Sequence, residues 1–226
     1  MQKLKIGIII SFCINIILFL GCEDDDENYE FVAPTGPVRI GDSSEGIILF
    51  EQMLENIRND LNIPGMSAAI VKNKQLFWAK GFGYADVEFN VPARPTTSYH
   101  LASLTKTFAA IIIMQLVEDG LVDLESPVSN YGINLESPGI IRVRHLLTHT
   151  SEGNPGEEYK YNGSRFGLLD NVIEMASGRT FCELLVDRII IPFDLKNTAP
   201  NVLSDNCFLT FEERIDFSWN LAQGYT

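Results

Sequence analysis

Ser103-Leu104-Thr105-Lys106 places a hydroxyl and an amine three residues apart. On a helix, positions i and i+3 share a face, with Cβ atoms about 5–6 Å apart. A serine hydroxyl is a poor nucleophile until a neighbour takes its proton, and a neutral lysine can do so. Burial favours the neutral amine by stripping water from the ammonium, and the positive end of a helix dipole pushes the same way. The plainer alternative is that Ser103 only caps a helix. A capping box wants Glu or Gln at residue 106, however, and Lys stands there.

Two other clusters bear on chemistry. His145-Leu146-Leu147-Thr148-His149 spaces two imidazoles at i and i+4, a pattern that can hold zinc on a helix face. The metalloprotease form needs Glu directly after the first His, where Leu146 stands. The remaining histidine, His100, does not suggest itself as a third ligand, so no metal site is expected. In Tyr159-Lys160-Tyr161-Asn162-Gly163 a tyrosine could relay a proton from a serine–lysine pair, and a backbone opened by Gly163 could approach a substrate. Standing alone, that segment is a polar loop with ordinary aromatics.

The elements that must position these groups follow from hydrophobic spacing. Residues 101–119 form the strongest helical pattern, closed by Gly120, and between 108 and 117 only Gln115 is polar. A helix apolar on all sides is expected to be buried on all sides. Residues 47–61 carry a helical stripe of Ile47, Phe50, Leu54, Ile57 and Leu61, with N-cap candidates Asp42, Ser43 and Ser44 and a stop at Pro64-Gly65. Residues 66–71 and 75–84 read as a hairpin that needs a larger sheet around it. Residues 85–98 read as a loop, and shorter helices are expected at 141–149, 166–176 and 181–191. Helix, hairpin, then a run of helices predicts an α/β (α+β) fold: an antiparallel sheet flanked by helices, with a helical region beside it.

The 226 residues carry 17 Lys+Arg against 30 Asp+Glu, a formal net charge of -13. That balance argues against a nucleic-acid partner, which would require a cationic face. With 46% hydrophobic residues the chain is not disordered in composition. Residues 1–21 read as a signal peptide: Lys3 and Lys5 precede an apolar run too short for a comfortable membrane span of about 20 residues. The run closes on Leu18-Phe19-Leu20-Gly21-Cys22, which resembles the lipobox of bacterial lipoproteins. That resemblance implies lipid on Cys22 and a membrane-anchored protein at the cell envelope, periplasmic or surface-exposed. An uncleaved N-terminal anchor is the alternative. Residues 22–43, opening Cys22-Glu23-Asp24-Asp25-Asp26-Glu27, read as a solvated acidic tether. Cys182 and Cys207 could bridge in an oxidising compartment, but free buried thiols are the default expectation.

Taken in chain order, these segments resemble the superfamily of serine β-lactamases and penicillin-binding proteins, and within it the β-lactamase-related hydrolases and esterases. Ser103 to Lys106 match the family's S-x-x-K box, which implies Ser103 as nucleophile and Lys106 as its base or base partner. Residues 141–151, containing His145 and His149, resemble a stretch common in this group, where the implied role is structural support. Tyr161-Asn162-Gly163 falls at the Y-x-N or Y-x-G box, implying Tyr161 as the second catalytic group. Gly163 then occupies a substrate-binding position where many members have Asn. Residues 192–198 resemble the family's P-L-G-M-x-x-T segment, with departures.

The resemblance covers residues from about 45 to the end, a partial domain over 44–226. The family's third box, K-T-G or H-x-G on a later strand, has no counterpart, so the sheet is expected to be incomplete and the chain an inactive N-terminal part of a longer protein. The implied activity of the parent is serine hydrolysis of an ester, amide or β-lactam carbonyl through an acyl-enzyme. Its partner would be a small-molecule or peptide substrate, and no cofactor is called for. The alternative is a non-catalytic binding domain or pseudo-enzyme on the same scaffold.

Overall fold

The computed structural model describes residues 37–41, 44–200 and 220–224. The signal segment, Cys22, the acidic run and Cys207 lie outside the described residues.

Asn73 and Lys74 both take positive φ, 53° and 62°, and Lys72 pairs with Gln75 across them. This is the two-residue turn whose twist matches paired strands. It joins β1 (Gly65–Lys72) to β2 (Gln75–Asp86), as the alternation predicts. The opposite edge of β2 takes up Arg39–Gly41, a three-residue strand inside the segment read as tether. The far end of β2 pairs with β3 (Val91–Pro92), within the stretch expected to be loop. The sheet is antiparallel throughout, with β2 at its centre. Gly81 is required there by close approach, because a Cβ would lie 1.9 Å from the Ala93 carbonyl oxygen.

Helix α1 (Glu45–Asp60) lies on the sheet. Ile47, Trp78 and Phe82 form a small buried core, with Phe50 and Leu54 packed against it. The far end of the expected stripe behaves differently: Ile57 and Leu61 are exposed. The Glu51 carboxylate joins three elements, accepting from Arg39 Nε at 2.6 Å, Lys80 Nζ at 2.6 Å and the Trp78 indole at 2.8 Å.

The larger core is helical. It is built from α2 (Thr105–Glu118), α3 (Val143–Leu147), α4 (Gly163–Gly167), α5 (Leu169–Ser177) and α6 (Phe181–Leu185), the last running on into a π-helical turn over Val186–Ile190. Ile112, Ile113 and Leu116 of α2 are fully buried against Val143, Leu169, Val172 and Leu184. Burial on all sides does not occur: Ile111 and Met114 are 48% and 44% exposed. Hydropathy records what a face can pack against, and among the described residues only one face of α2 has such a partner. Thr180 and Glu183 make a reciprocal capping box that starts α6, and Gly178 at φ 70° ends α5. Cys182, on α6, is disulfide-bonded, which corrects the free-thiol expectation for that residue. No helix among the described residues is long and apolar enough to cross a membrane.

Candidate active site

Ser103 sits in a 3-10 turn, Ala102–Leu104, that leads directly into α2. Ala102 has φ 46°, a region that few non-glycine residues enter, so the chain turns sharply just before Ser103. One turn on, Lys106 projects from the first turn of α2, and its Nζ donates to Ser103 Oγ at 3.1 Å. Ser103 is exposed and Lys106 half-buried, so the mouth of the helix opens to solvent more than the sequence reading expects.

Tyr161 arrives from a different part of the chain. Its hydroxyl lies 2.6 Å from Ser103 Oγ, and Lys106 Nζ stands 5.3 Å over the centre of its ring. The structure thus brings Ser103, Lys106 and Tyr161 together. The hydrogen bond with Ser103 and the nearby Lys106 ammonium both hold the Tyr161 phenol below its ordinary pKa. Either change favours the phenolate, a form able to accept a proton.

Tyr161 is placed by the start of α4. Asn162 is the N-cap: its Oδ1 accepts the Arg165 N–H at 2.9 Å, and its Nδ2 donates to Glu152 at 2.6 Å. Glu152 is also ion-paired with Lys160, and Arg165 reaches back to the Ser151 carbonyl at 2.5 Å. Glu152 thus ties the start of the loop both to Asn162, which follows Tyr161, and to Lys160, which precedes it. Gly163 opens α4 with space in front of it; a Cβ there would meet only Lys106 Nζ, at 3.8 Å.

The two histidines part company. Helix α3 stops at Leu147 and His149 takes φ 55°, so no i, i+4 helix face carries both rings. His145 is buried, its Nδ1 accepting the Arg142 N–H at 3.1 Å. His149 turns into the site instead, its ring 4.6 Å from that of Tyr161. Family resemblance gives its stretch a supporting role, and spacing alone offers His145 as its nearest ring. The pairing that matters is with Tyr161, which only the fold reveals.

A short antiparallel sheet carrying a helix, beside a helical region that presents a Ser-x-x-Lys turn to a tyrosine, defines a β-lactamase-like fold. Residues 50–208 match the Beta-lactamase family, and the chain belongs to it, within the superfamily of serine β-lactamases and penicillin-binding proteins. Among relatives, "Protein flp" of Staphylococcus aureus (strain MW2) is 30% identical over 185 residues, covering 63% of this chain and 36% of its own. The chain thus spans well under half of that relative's length. The octameric penicillin-binding protein homologue from Pyrococcus abyssi superposes with a TM-score of 0.68 at 27% identity, over 80% of this chain and 48% of the other. EstCE1, a hydrolase with promiscuous acyltransferase activity, shares the fold with a TM-score of 0.64 at 20% identity, over 80% of this chain and 57% of its own.

Proposed function

We propose that this protein is a serine hydrolase that transfers the acyl group of an ester, amide or β-lactam to water through an acyl-enzyme. The observation that carries the reading is the convergence of Tyr161 OH and Lys106 Nζ on one oxygen, Ser103 Oγ, at 2.6 and 3.1 Å. A lone N-cap serine needs neither neighbour.

Ser103 Oγ attacks the carbonyl carbon while its proton passes to Tyr161. The lowered phenol pKa favours Tyr161 as acceptor, with the Lys106 ammonium stabilising its phenolate. Negative charge developing on the carbonyl oxygen is held by the Ser103 N–H, at the head of a turn where the first amides lack intrahelical partners. Protonated Tyr161 then returns its proton to the leaving group. In the second half, water delivers its proton to Tyr161 and attacks the ester carbon, and Tyr161 returns that proton to Ser103 Oγ as the ester bond breaks and the carboxylic acid leaves. Family membership supports this assignment, as does the likeness to a hydrolase and a penicillin-binding protein homologue.

Lipid on Cys22 would anchor the protein at the cell envelope, outside the cytoplasm. Incorporation of labelled palmitate that disappears in Cys22→Ser tests the anchor. For the chemistry, protein expressed from the intact gene is treated with a fluorophosphonate and with a penicillin probe. A covalent adduct on Ser103, absent in Ser103→Ala, is expected. Failure of both probes on the folded protein would favour the non-catalytic binding reading, and labelling that survives Ser103→Ala would dismiss the assignment of the nucleophile.

A further inference from the structure

His149 grips the chain on both sides of Tyr161. Its carbonyl accepts the Lys160 N–H at 2.7 Å, and its Nδ1 accepts the Asn162 N–H at 3.2 Å. The residues before and after Tyr161 are thus pinned to one residue. The imidazole also lies against the Tyr161 ring at 4.6 Å and stacks on Phe166 at 5.3 Å with planes 29° apart, while Tyr159 meets it edge-on at 5.9 Å. Its φ of 55° lies in a region that side chains enter rarely and His more readily than most.

Resting on the reading of Tyr161 as proton acceptor, we propose that His149 is a positioning residue: as a neutral imidazole it fixes the Tyr161 hydroxyl against Ser103 Oγ. It touches no reacting atom and acts through Tyr161. Nδ1 accepts a backbone N–H, so it must offer a lone pair, and the ring proton sits on Nε2. An imidazolium has no lone pair, and would break that hydrogen bond while setting a second positive charge near Lys106. The titratable groups facing the ring are Lys106 from α2 and the phenols of Tyr159 and Tyr161; Phe166 of α4 brings no charge, and Glu152 is engaged by Lys160 and Asn162. Burial and the Lys106 charge both push the His149 pKa down, which keeps the ring neutral near pH 7.

Two substitutions separate this role from mere space-filling. His149→Phe keeps a stacking ring and removes the acceptor. His149→Asn tolerates the left-handed backbone and returns an acceptor oxygen without the ring. Protein from the intact gene, carrying ¹³Cζ-tyrosine, is titrated by NMR, with Tyr161 assigned by loss of its signal in Tyr161→Phe. In His149→Phe the Tyr161 midpoint is expected to rise towards that of free tyrosine, and fluorophosphonate labelling of Ser103 to slow by about 10²-fold, the scale of a misplaced catalytic group. His149→Asn is expected to recover part of both. A folded His149→Phe in which Tyr161 titrates as in the parent overturns the proposal. The titration needs no turnover. An unlabelled parent whose Tyr161 midpoint still rises in His149→Phe would therefore reject the hydrolase while upholding the hold of His149 on Tyr161.

Discussion

The Tyr161 hydroxyl lies 2.6 Å from Ser103 Oγ although 58 residues separate the two in the chain. One partner stands on the turn before α2 and the other just ahead of the Asn162 cap of α4, so the contact depends on two loops keeping their places. Tyr161→Phe removes the hydroxyl and leaves the ring in contact with His149. General acid–base groups contribute about 10²–10⁴ in rate. Fluorophosphonate labelling of Ser103 is expected to slow by that order in Tyr161→Phe, with the near-UV circular dichroism still that of a packed protein. A labelling rate within about threefold of the parent would remove Tyr161 from the mechanism.

The pH dependence has a definite sign. Tyr161 accepts the proton only as phenolate, so labelling should rise with pH through its titration and level off above it. Ser103 and Lys106 hold that titration below the ordinary phenol value. Replacing Lys106 by Met deletes the cation, so the rising limb should move to higher pH as the plateau falls. Pseudo-first-order labelling rates measured across the pH range check this. A limb that stays in place in Lys106→Met would mean that Tyr161 is not the group being titrated.

Glu51 makes a separate prediction about stability. Burial pushes its carboxyl up, but hydrogen bonds from Lys80, Trp78 and Arg39 outweigh this and hold it down at about 2, against an ordinary value of 4.5. A carboxylate with a depressed folded-state pKa adds stability that is present above the unfolded value and lost as pH falls towards the folded one. Its side chain is only 12% exposed, so the fall from 4.5 to about 2 amounts to about 3 kcal/mol. Glu51→Gln should cost roughly that amount at pH 7 in urea unfolding. The gap between variant and parent should narrow between pH 4.5 and 2. A gap independent of pH would show that the Glu51 charge contributes nothing.

What the sequence makes legible is local. The hairpin can be read because Asn73-Lys74 suits a tight turn between two strand patterns, and α2 because its apolar positions outnumber everything else in the window. Ser103 and Lys106 lie three residues apart, so helix geometry alone brings them together. Arg39–Gly41 is illegible, since three residues behind an acidic run become a strand only where the free edge of β2 receives them. The exposed Ile111 and Met114 mislead for a related reason: hydropathy does not reveal which side of a helix finds a partner. The contact of His149 with Tyr161 is illegible because α3 stops two residues earlier than its apolar spacing implies, and the left-handed turn directs the ring to Tyr161.

Gly163 is the remaining test of how the site meets its substrate. The residue opens α4 directly behind the Asn162 cap, and its φ is not in the left-handed region, so a side chain there suffers no backbone strain. An added Cβ would meet only Lys106 Nζ at 3.8 Å, an ordinary contact. Gly163→Ala should therefore stabilise the fold by about 0.4–1 kcal/mol through the lower entropy of its unfolded chain, measurable in urea. Destabilisation would show that the backbone at α4 is less regular than the geometry indicates. A longer side chain has a different consequence, since Asn at this position projects an amide beside Lys106, whose Nζ contacts Ser103 Oγ. An amide there can hydrogen-bond a substrate that carries its own amide and gives nothing to a bare phosphonate. Gly163→Asn is accordingly expected to raise the rate of labelling by a penicillin probe relative to a fluorophosphonate. An unchanged ratio would mean that the space in front of Gly163 is not where the substrate lies.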